Sequence, residues 1–292
     1  MIIVRLMGGM GNQMFQYAVG RALALTYSTR LKLDLTFLLD HTSRPRVRLR
    51  DYDLPVFNIA AEPATREEVP FLYRKHLPGR MAFFVDGLRR RMRICRGSEK
   101  YFHFDPAVLE IGPDAYLDGY WQSPKYFDRV AETIRKEFAL RDLASGTTQE
   151  LAAEIASQES VCVHVRRGDF VNSSWHWTLG PDYYMAGLGL VTAKMSSPRV
   201  YVFSDDINWC RGNLRLPYQT TFVDHRYAGP KSSHHLALMS ACRAFVIANS
   251  SFGWWTAWLN AYPEKIVVAP KRWFLDRSIN TADLIPPGWI TI

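Results

Sequence analysis

The chain has 292 residues, 48% hydrophobic and 22% charged, which is ordinary for a folded globular protein and long enough for two modest domains, each with its own core. A formal charge of +8 favours phosphate, nucleic acid or an anionic membrane surface, but no zinc-finger spacing or tandem aromatic RNA-binding motif selects nucleic acid. Aromatic residues make up 13%, with 9 Trp, which suits either stacking on sugar rings or a core of large side chains.

In chain order, Ile2 to Leu6 predicts a strand, Gly8-Gly9-Met10-Gly11-Asn12-Gln13 a turn, and Met14 to about Tyr27 a helix with Met14, Ala18, Ala22 and Leu25 near one face. Leu31 to Leu35 predicts a second strand, completing the opening of a βαβ unit. From Thr42 to Lys100 the chain is rich in Pro and Arg and predicts decorating loops and helices. Arg89, Arg90, Arg91, Arg93 and Arg96 crowd one part of it, either as a solvated basic loop or helix or as a peripheral contact with anionic lipid. Tyr116 to Phe127 predicts a strand, a polar turn and a helix start, and about Arg129 to Leu140 predicts a helix. The polar stretch Arg141 to Gln149 predicts the linker between domains spanning 1–145 and 146–292.

The second half predicts strands at Val161–Val165, Val200–Phe203, Thr221–Val223, Ala244–Ala248 and Lys265–Ala269. Helices are predicted at Ser233–Cys242 and Phe252–Asn260. Alternating strands and helices imply an α/β protein with mostly parallel sheets covered on both faces, and two such halves facing each other would enclose a cleft. Cys95, Cys162, Cys210 and Cys242 form no C-x-x-C pair and have no His at zinc spacing, so reduced thiols are expected. The opening residues resemble neither a cleavable signal nor an anchor. The longest uncharged run, Ala244 to Pro263, is interrupted by Asn249, Ser250, Ser251 and Asn260. A cytoplasmic enzyme is expected.

Ligands of open α/β sheets collect at the carboxyl ends of strands. There the chain offers a glycine turn, then His164-Val165-Arg166-Arg167-Gly168-Asp169, then Ser204-Asp205-Asp206, then Asn249-Ser250-Ser251-Phe252. Gly9 and Gly11 would let backbone approach a ligand, although Met14 stands where a dinucleotide fingerprint has its third glycine and no lysine-type phosphate loop follows; a plain tight turn is the alternative. Arginine's rigid fork matches phosphate oxygens and would stabilise a departing diphosphate without a metal; an Arg–Asp salt bridge capping the sheet is the alternative. Asp205 and Asp206 fit a metal pair, a guanine acceptor or, for Asp206, a helix N-cap. Asn249-Ser250-Ser251 fits an N-cap or a phosphate site at a helix N-terminus. Of Trp254, Trp255 and Trp258, spacing of three or four puts Trp255 with Trp258, or Trp254 with Trp258, on one helix face in the manner of a core.

Together, Gly8–Tyr17, Gly119–Ser123, His164–Asp169, Tyr183-Tyr184, Val202–Asp206 and Asn249–Leu259 resemble the bacterial α-1,2-fucosyltransferases of glycosyltransferase family 11, over nearly the whole chain. The resemblance implies a GT-B arrangement of two Rossmann-like domains, acceptor side first and donor side second. It implies inverting transfer of L-fucose from GDP-β-L-fucose to the 2-hydroxyl of a galactose in a glycan, with no metal or other cofactor; a lipid-linked glycan is the expectation for a basic cytoplasmic enzyme. It would place Arg166, with Arg167, on the diphosphate, His164 and Asp205 at the guanosine, and Ser250, Ser251 and Phe252 around the phosphates. Asn249 would help hold the donor, and Asn12 with Gly9 and Gly11 would face fucose or the acceptor. Some related fucosyltransferases carry a glutamate just after the arginine motif, but Phe170 to Ser174 contains none, so Asp169 and then His176 are the base candidates. Gly253 stands where relatives often have Ser. A metal-dependent GT-A transferase using Asp205 and Asp206, and a non-catalytic nucleotide or nucleic-acid binder, are the competing readings.

Overall fold

The computed structural model describes residues 1–40, 50–70, 73, 92–97, 102–142 and 145–292. The chain forms two compact units: Met1–Ala139 with Asn280–Leu284, and Leu140–Ile279 with Ile285–Ile292. The division thus falls six residues before the expected boundary at 145/146, and a short late segment returns to the first unit. Asp283 anchors that segment, pairing with the Lys125 ammonium and accepting from the Phe104 amide at 3.0 Å.

In the first unit β1 (Ile2–Arg5) leads into α1 (Met10–Thr26), then β2 (Leu31–Asp34), β3 (Glu62–Pro63), β4 (Arg93–Arg96), β5 (Ala115–Asp118) and α2 (Ala131–Glu137). The sheet order is β3-β2-β1-β5-β4, with every described pairing parallel. Strands β3 and β4 correct the expectation of loops and helices there. Arg93 and Arg96 lie exposed on the edge strand β4 rather than on a loop or helix, while Arg89, Arg90 and Arg91 lie outside the described residues. The predicted helix at about 129–140 shortens to α2, preceded by a tight 3-10 turn at Asp128–Val130.

Helix α1 starts four residues earlier than predicted. Gly8 turns the chain in the left-handed region, at φ +77, and Gly9 is the N-cap, its carbonyl accepting from the Asn12 and Gln13 amides at 2.9 and 3.1 Å. Gly11 and Asn12 therefore belong to the first helical turn. The polar residues of this helix are buried but satisfied. Gln13 donates to the Gly8 and Asp51 carbonyls and accepts from the Asp53 amide. Gln16 accepts from Met7 and donates to Gly119. Tyr17 donates to Glu137 at 2.5 Å and accepts from Ala60.

The second unit runs α3 (Thr147–Ser157), β6 (Ser160–Val165), α4 (Pro181–Thr192), β7 (Arg199–Ser204), α5 (Ile207–Asn213), β8 (Gln219–Val223), α6 (Ser233–Ser240), β9 (Ala244–Ile247), α7 (Ser251–Leu259), β10 (Ile266–Ala269) and β11 (Ile290–Thr291). The polar linker stretch thus already contains the start of α3. The six strands are ordered β11-β10-β9-β6-β7-β8, all described pairings being parallel. Every residue of β6 is buried, as expected of a strand covered on both faces. Val161, Val163, Leu188, Val202 and Val246 share one core with Tyr184, each of these aliphatic side chains contributing about 1.5–3 kcal/mol when fully buried. Trp254 and Trp255 are fully buried; Trp254 stacks on Trp258, and Trp255 meets both rings edge-on. No helix among the described residues is long and apolar enough to cross a membrane.

Candidate active site

The strand order of the second unit reverses between β6 and β9, since the chain moves outward from β6 through β7 to β8 and then resumes on the other side with β9. Such a switch point opens a crevice at the strand carboxyl ends. The segments that leave those ends are Arg166–Asp169 after β6, Asp205-Asp206 after β7 and Ala248–Phe252 after β9. The three predicted clusters of this half therefore meet because their strands are adjacent.

Arg166 is held between two carboxylates. Its Nη2 donates to Asp169 Oδ1 at 2.6 Å and its Nη1 lies 3.1 Å from Asp205 Oδ2. Its Nε is buried with no hydrogen-bond partner among the described residues, and Phe170 lies 5.4 Å beneath the guanidinium. Arg167 turns to Asp206 at 3.3 Å and packs over Trp209 at 3.9 Å, while its amide donates to Asp205 at 2.9 Å. The Arg–Asp ion pairs weighed against a phosphate fork are thus present. They use only part of arginine's five donors, leaving Nε–H and further terminal N–H groups. Their geometric effect is to fix the direction of the guanidinium.

Asp206 is the N-cap of α5, accepting from the Trp209 amide at 3.1 Å. Asp205 and Asp206 each face an arginine, and no group of three or more His, Cys, Asp or Glu that could hold a metal is found among the described residues. Gly168 is required here by space, because a Cβ at that position would run into the Asp205 carboxylate.

His164 is only 5% exposed and its Nδ1 has no partner among the described residues. Its ring lies 6.1 Å from the Phe252 ring and fills the space a Gly253 side chain would need, with a Cβ there falling 2.5 Å from Nδ1. Burial, then the Arg166 charge, then His235 lower its pKa to about 3. His176 stacks on Phe170 at 4.2 Å, and burial lowers its pKa to about 4, with Asp169 pulling it up and Arg166 pushing it down. Both rings are neutral near pH 7, so His176 is a weak base.

The sign of the acid response follows. An unfolded histidine protonates below about pH 6.5, whereas these folded rings resist protonation. Their contribution is complete above that pH and is lost as the pH falls from about 6.5 toward 4 and 3. Urea midpoints are expected to hold above that point and to fall below it, less steeply in a His164→Gln variant; an equally steep fall in that variant would contradict the assignment.

Asn249 is fully buried and structural on its donor side, its amide giving hydrogen bonds to the Trp177 and Trp273 carbonyls at 3.3 and 2.9 Å. Ser250 is the N-cap of α7, within the cluster expected to supply it, but makes no side-chain cap hydrogen bond. The amides of this helix start lie beside His164 and carry the positive end of the helix dipole.

In the first unit the switch point falls between β1 and β5. Gly9 and Asn12 follow β1, and Gln122 follows β5, its Nε2 donating to Asn12 Oδ1 at 2.8 Å. Asn12 also packs against Gly8. Gly11 is buried inside α1, so the approach to backbone expected of it falls to Gly9, where a Cβ would meet, among the described residues, the Arg50 guanidinium at 3.9 Å. Sequence reasoning did not single out Arg50, Trp121, Gln122, Phe170 or Trp209. Only Gln122 and Trp121 carried a signal, as members of the Gly119–Ser123 segment.

The arrangement has relatives. The Glycosyl transferase family 11 profile matches residues 97–292. An α-1,2-colitosyltransferase of Escherichia coli is 29% identical, over 100% of this chain and 98% of its own length. A galactoside α-(1,2)-fucosyltransferase 1 of Alouatta caraya is 26% identical over 86% of this chain, which spans 63% of that protein. Among solved structures, the fucosyltransferase NodZ from Bradyrhizobium aligns at 16% identity over 87% of this chain and 91% of its own, with a TM-score of 0.48. With arginines, aspartates and an open helix start gathered at one switch point, and a family match that covers two thirds of the chain including all of them, the protein belongs to glycosyl transferase family 11.

Proposed function

We propose that the protein transfers L-fucose from GDP-β-L-fucose to the 2-hydroxyl of a galactose in a glycan, with inversion. The observation that carries this reading is the cluster at the β6–β9 switch point, where Arg166, braced by Asp169 and Asp205, adjoins segments leading to the start of α7. Diphosphate oxygens would take the remaining donors of Arg166 and the α7 amides. As the sugar–oxygen bond breaks, the electron pair leaves with GDP and these groups stabilise the growing charge. The acceptor hydroxyl forms the new bond and passes its proton to a carboxylate, for which Asp169 is the first candidate. The α-1,2 linkage is supported by the names of both enzyme relatives.

A second donor, the nucleotide form of colitose, is favoured by the full-length match to the colitosyltransferase. Incubation with both nucleotide sugars and a panel of galactose-terminated glycans, with the linkage read by NMR, separates the two. Turnover of GDP-fucose that persists in excess EDTA is expected. Loss of activity with EDTA and its return with a divalent cation would instead favour the metal-dependent reading of Asp205 and Asp206.

A further inference from the structure

Two side chains of α1 reach the segment that leaves β5. Asn12 and Gln16 stand four residues apart, on one face of the helix. Gln16 is fully buried and bonded at both ends: its Oε1 accepts from the Met7 amide at 3.0 Å and its Nε2 donates to the Gly119 carbonyl at 3.2 Å. Asn12 is half-buried and bonded at one end. Its Oδ1 accepts from Gln122 Nε2 at 2.8 Å, while its Nδ2 makes no hydrogen bond among the described residues. A Cβ on Gly8 would lie 2.4 Å from that Nδ2, so the glycine leaves open the place the NH2 group occupies.

Gln122 is aimed at Asn12 by a tight, strained turn. The Ser123 amide donates to the Trp121 carbonyl at 2.8 Å, closing the chain around Gln122. Trp121 is held in the left-handed region at φ +55, an outlier for a bulky residue. Gly97 and Gly119 make room for its indole; a Cβ at Gly97 would lie 3.3 Å, and one at Gly119 3.0 Å, from indole carbons. Backbone strain of this kind gathers where a side chain has to be placed.

The sealed end of Gln122 fixes the direction of the bond. An amide pair can be drawn either way round. As found, the atom sealed without a partner among the described residues is Gln122 Oε1. Reversing both amides would seal an NH2 group there, with two unpaired protons in place of one oxygen, and buried unpaired N–H groups are the rarer defect. With its oxygen engaged, Asn12 has only N–H donors to offer a ligand.

We infer that Gln122 is a positioning residue: it fixes the Asn12 amide so that Nδ2, at the β1–β5 switch point, donates to an oxygen of the substrate. That this oxygen belongs to a nucleotide sugar or a glycan rests on the proposed transferase reading; the fixed orientation does not. Gln122→Glu and Asn12→Asp in the full chain test it. Gln122→Glu turns the Asn12 NH2 toward the new carboxylate and presents its oxygen to the substrate, so kcat/KM is expected to fall about 100-fold. Asn12→Asp keeps the Gln122 bond and the melting temperature but replaces the NH2 by an oxygen, with a similar loss near pH 7. A protonated carboxyl restores a donor, so the activity of Asn12→Asp relative to wild type is expected to rise as the pH falls from about 6 toward 4. A purely structural role would not move that ratio. The KM that rises, for nucleotide sugar or for glycan, identifies the owner of the oxygen. Near-normal kcat/KM in a folded Gln122→Glu variant, or a ratio for Asn12→Asp that is flat with pH, overturns the inference; if Gln122→Glu does not fold, Asn12→Asp decides alone. Side-chain amide NMR needs no turnover: the Asn12 NH2 signals, assigned by their loss in Asn12→Asp, are expected to move downfield in Gln122→Glu. That shift in a chain inactive on GDP-fucose supports the orientation and removes the fucose reading, and its absence overturns the orientation.

Discussion

Arg166→Ala is expected to lower turnover by about 10²–10³-fold, the loss typical of removing one preorganised donor from a developing charge. The guanidinium is aimed by Asp169 at 2.6 Å and Asp205 at 3.1 Å, with its buried Nε unclaimed among the described residues. The fold should survive, because Arg166, Asp169 and Asp205 keep 22%, 25% and 24% side-chain exposure, and water can solvate the carboxylates left behind. Ion pairs of this exposure contribute about 0–1 kcal/mol. Arg166→Lys should recover little, because an ammonium cannot span Asp169, Asp205 and a phosphate in one plane. Turnover with GDP-fucose and a melting curve decide the matter; near-normal turnover in a folded Arg166→Ala variant would sink the diphosphate role.

The second large effect is expected at Gly253. The resemblance would allow Ser there, which makes the glycine look like a small change on paper. In the fold it is coupled to His164, since a Cβ would approach Nδ1 to 2.5 Å in a region where both residues are buried. Gly253→Ala should therefore cost about 1–3 kcal/mol by overpacking, a fall of a few degrees to about 10 °C in melting temperature. The displaced ring would also press on Arg166, so donor KM should rise. The double variant with His164→Ala should be more stable than the sum of the two single effects. Strict additivity, or a Gly253→Ala protein that melts like wild type, would show that the ring does not occupy that space.

Much of the second unit was legible because its strands are short apolar runs ending in chemistry-bearing residues. Val161–Val165 is readable as a strand, and so is the polar cluster that follows it. The first unit was harder. Leu31–Leu35 stood out, but β3 and β4 are the two opposite edge strands, of two and four residues with exposed positions, and short half-exposed strands leave little periodic signal. The start of α1 was missed because Gly11 and Asn12 read as turn formers, while the Gly9 cap and the buried bonds of Gln13 and Gln16 override local preference.

From the residues alone came the α/β class, the division into halves, and the segments that would carry the site, because strand ends and turn residues are local properties. The partners of those segments were a matter of tertiary structure. Strand order brought the ends of β6, β7 and β9 together, and only then did Arg166 find Asp205 and His164 find the gap at Gly253. Contacts between residues dozens of positions apart depend on which strands pair, and no local pattern in one chain encodes that order.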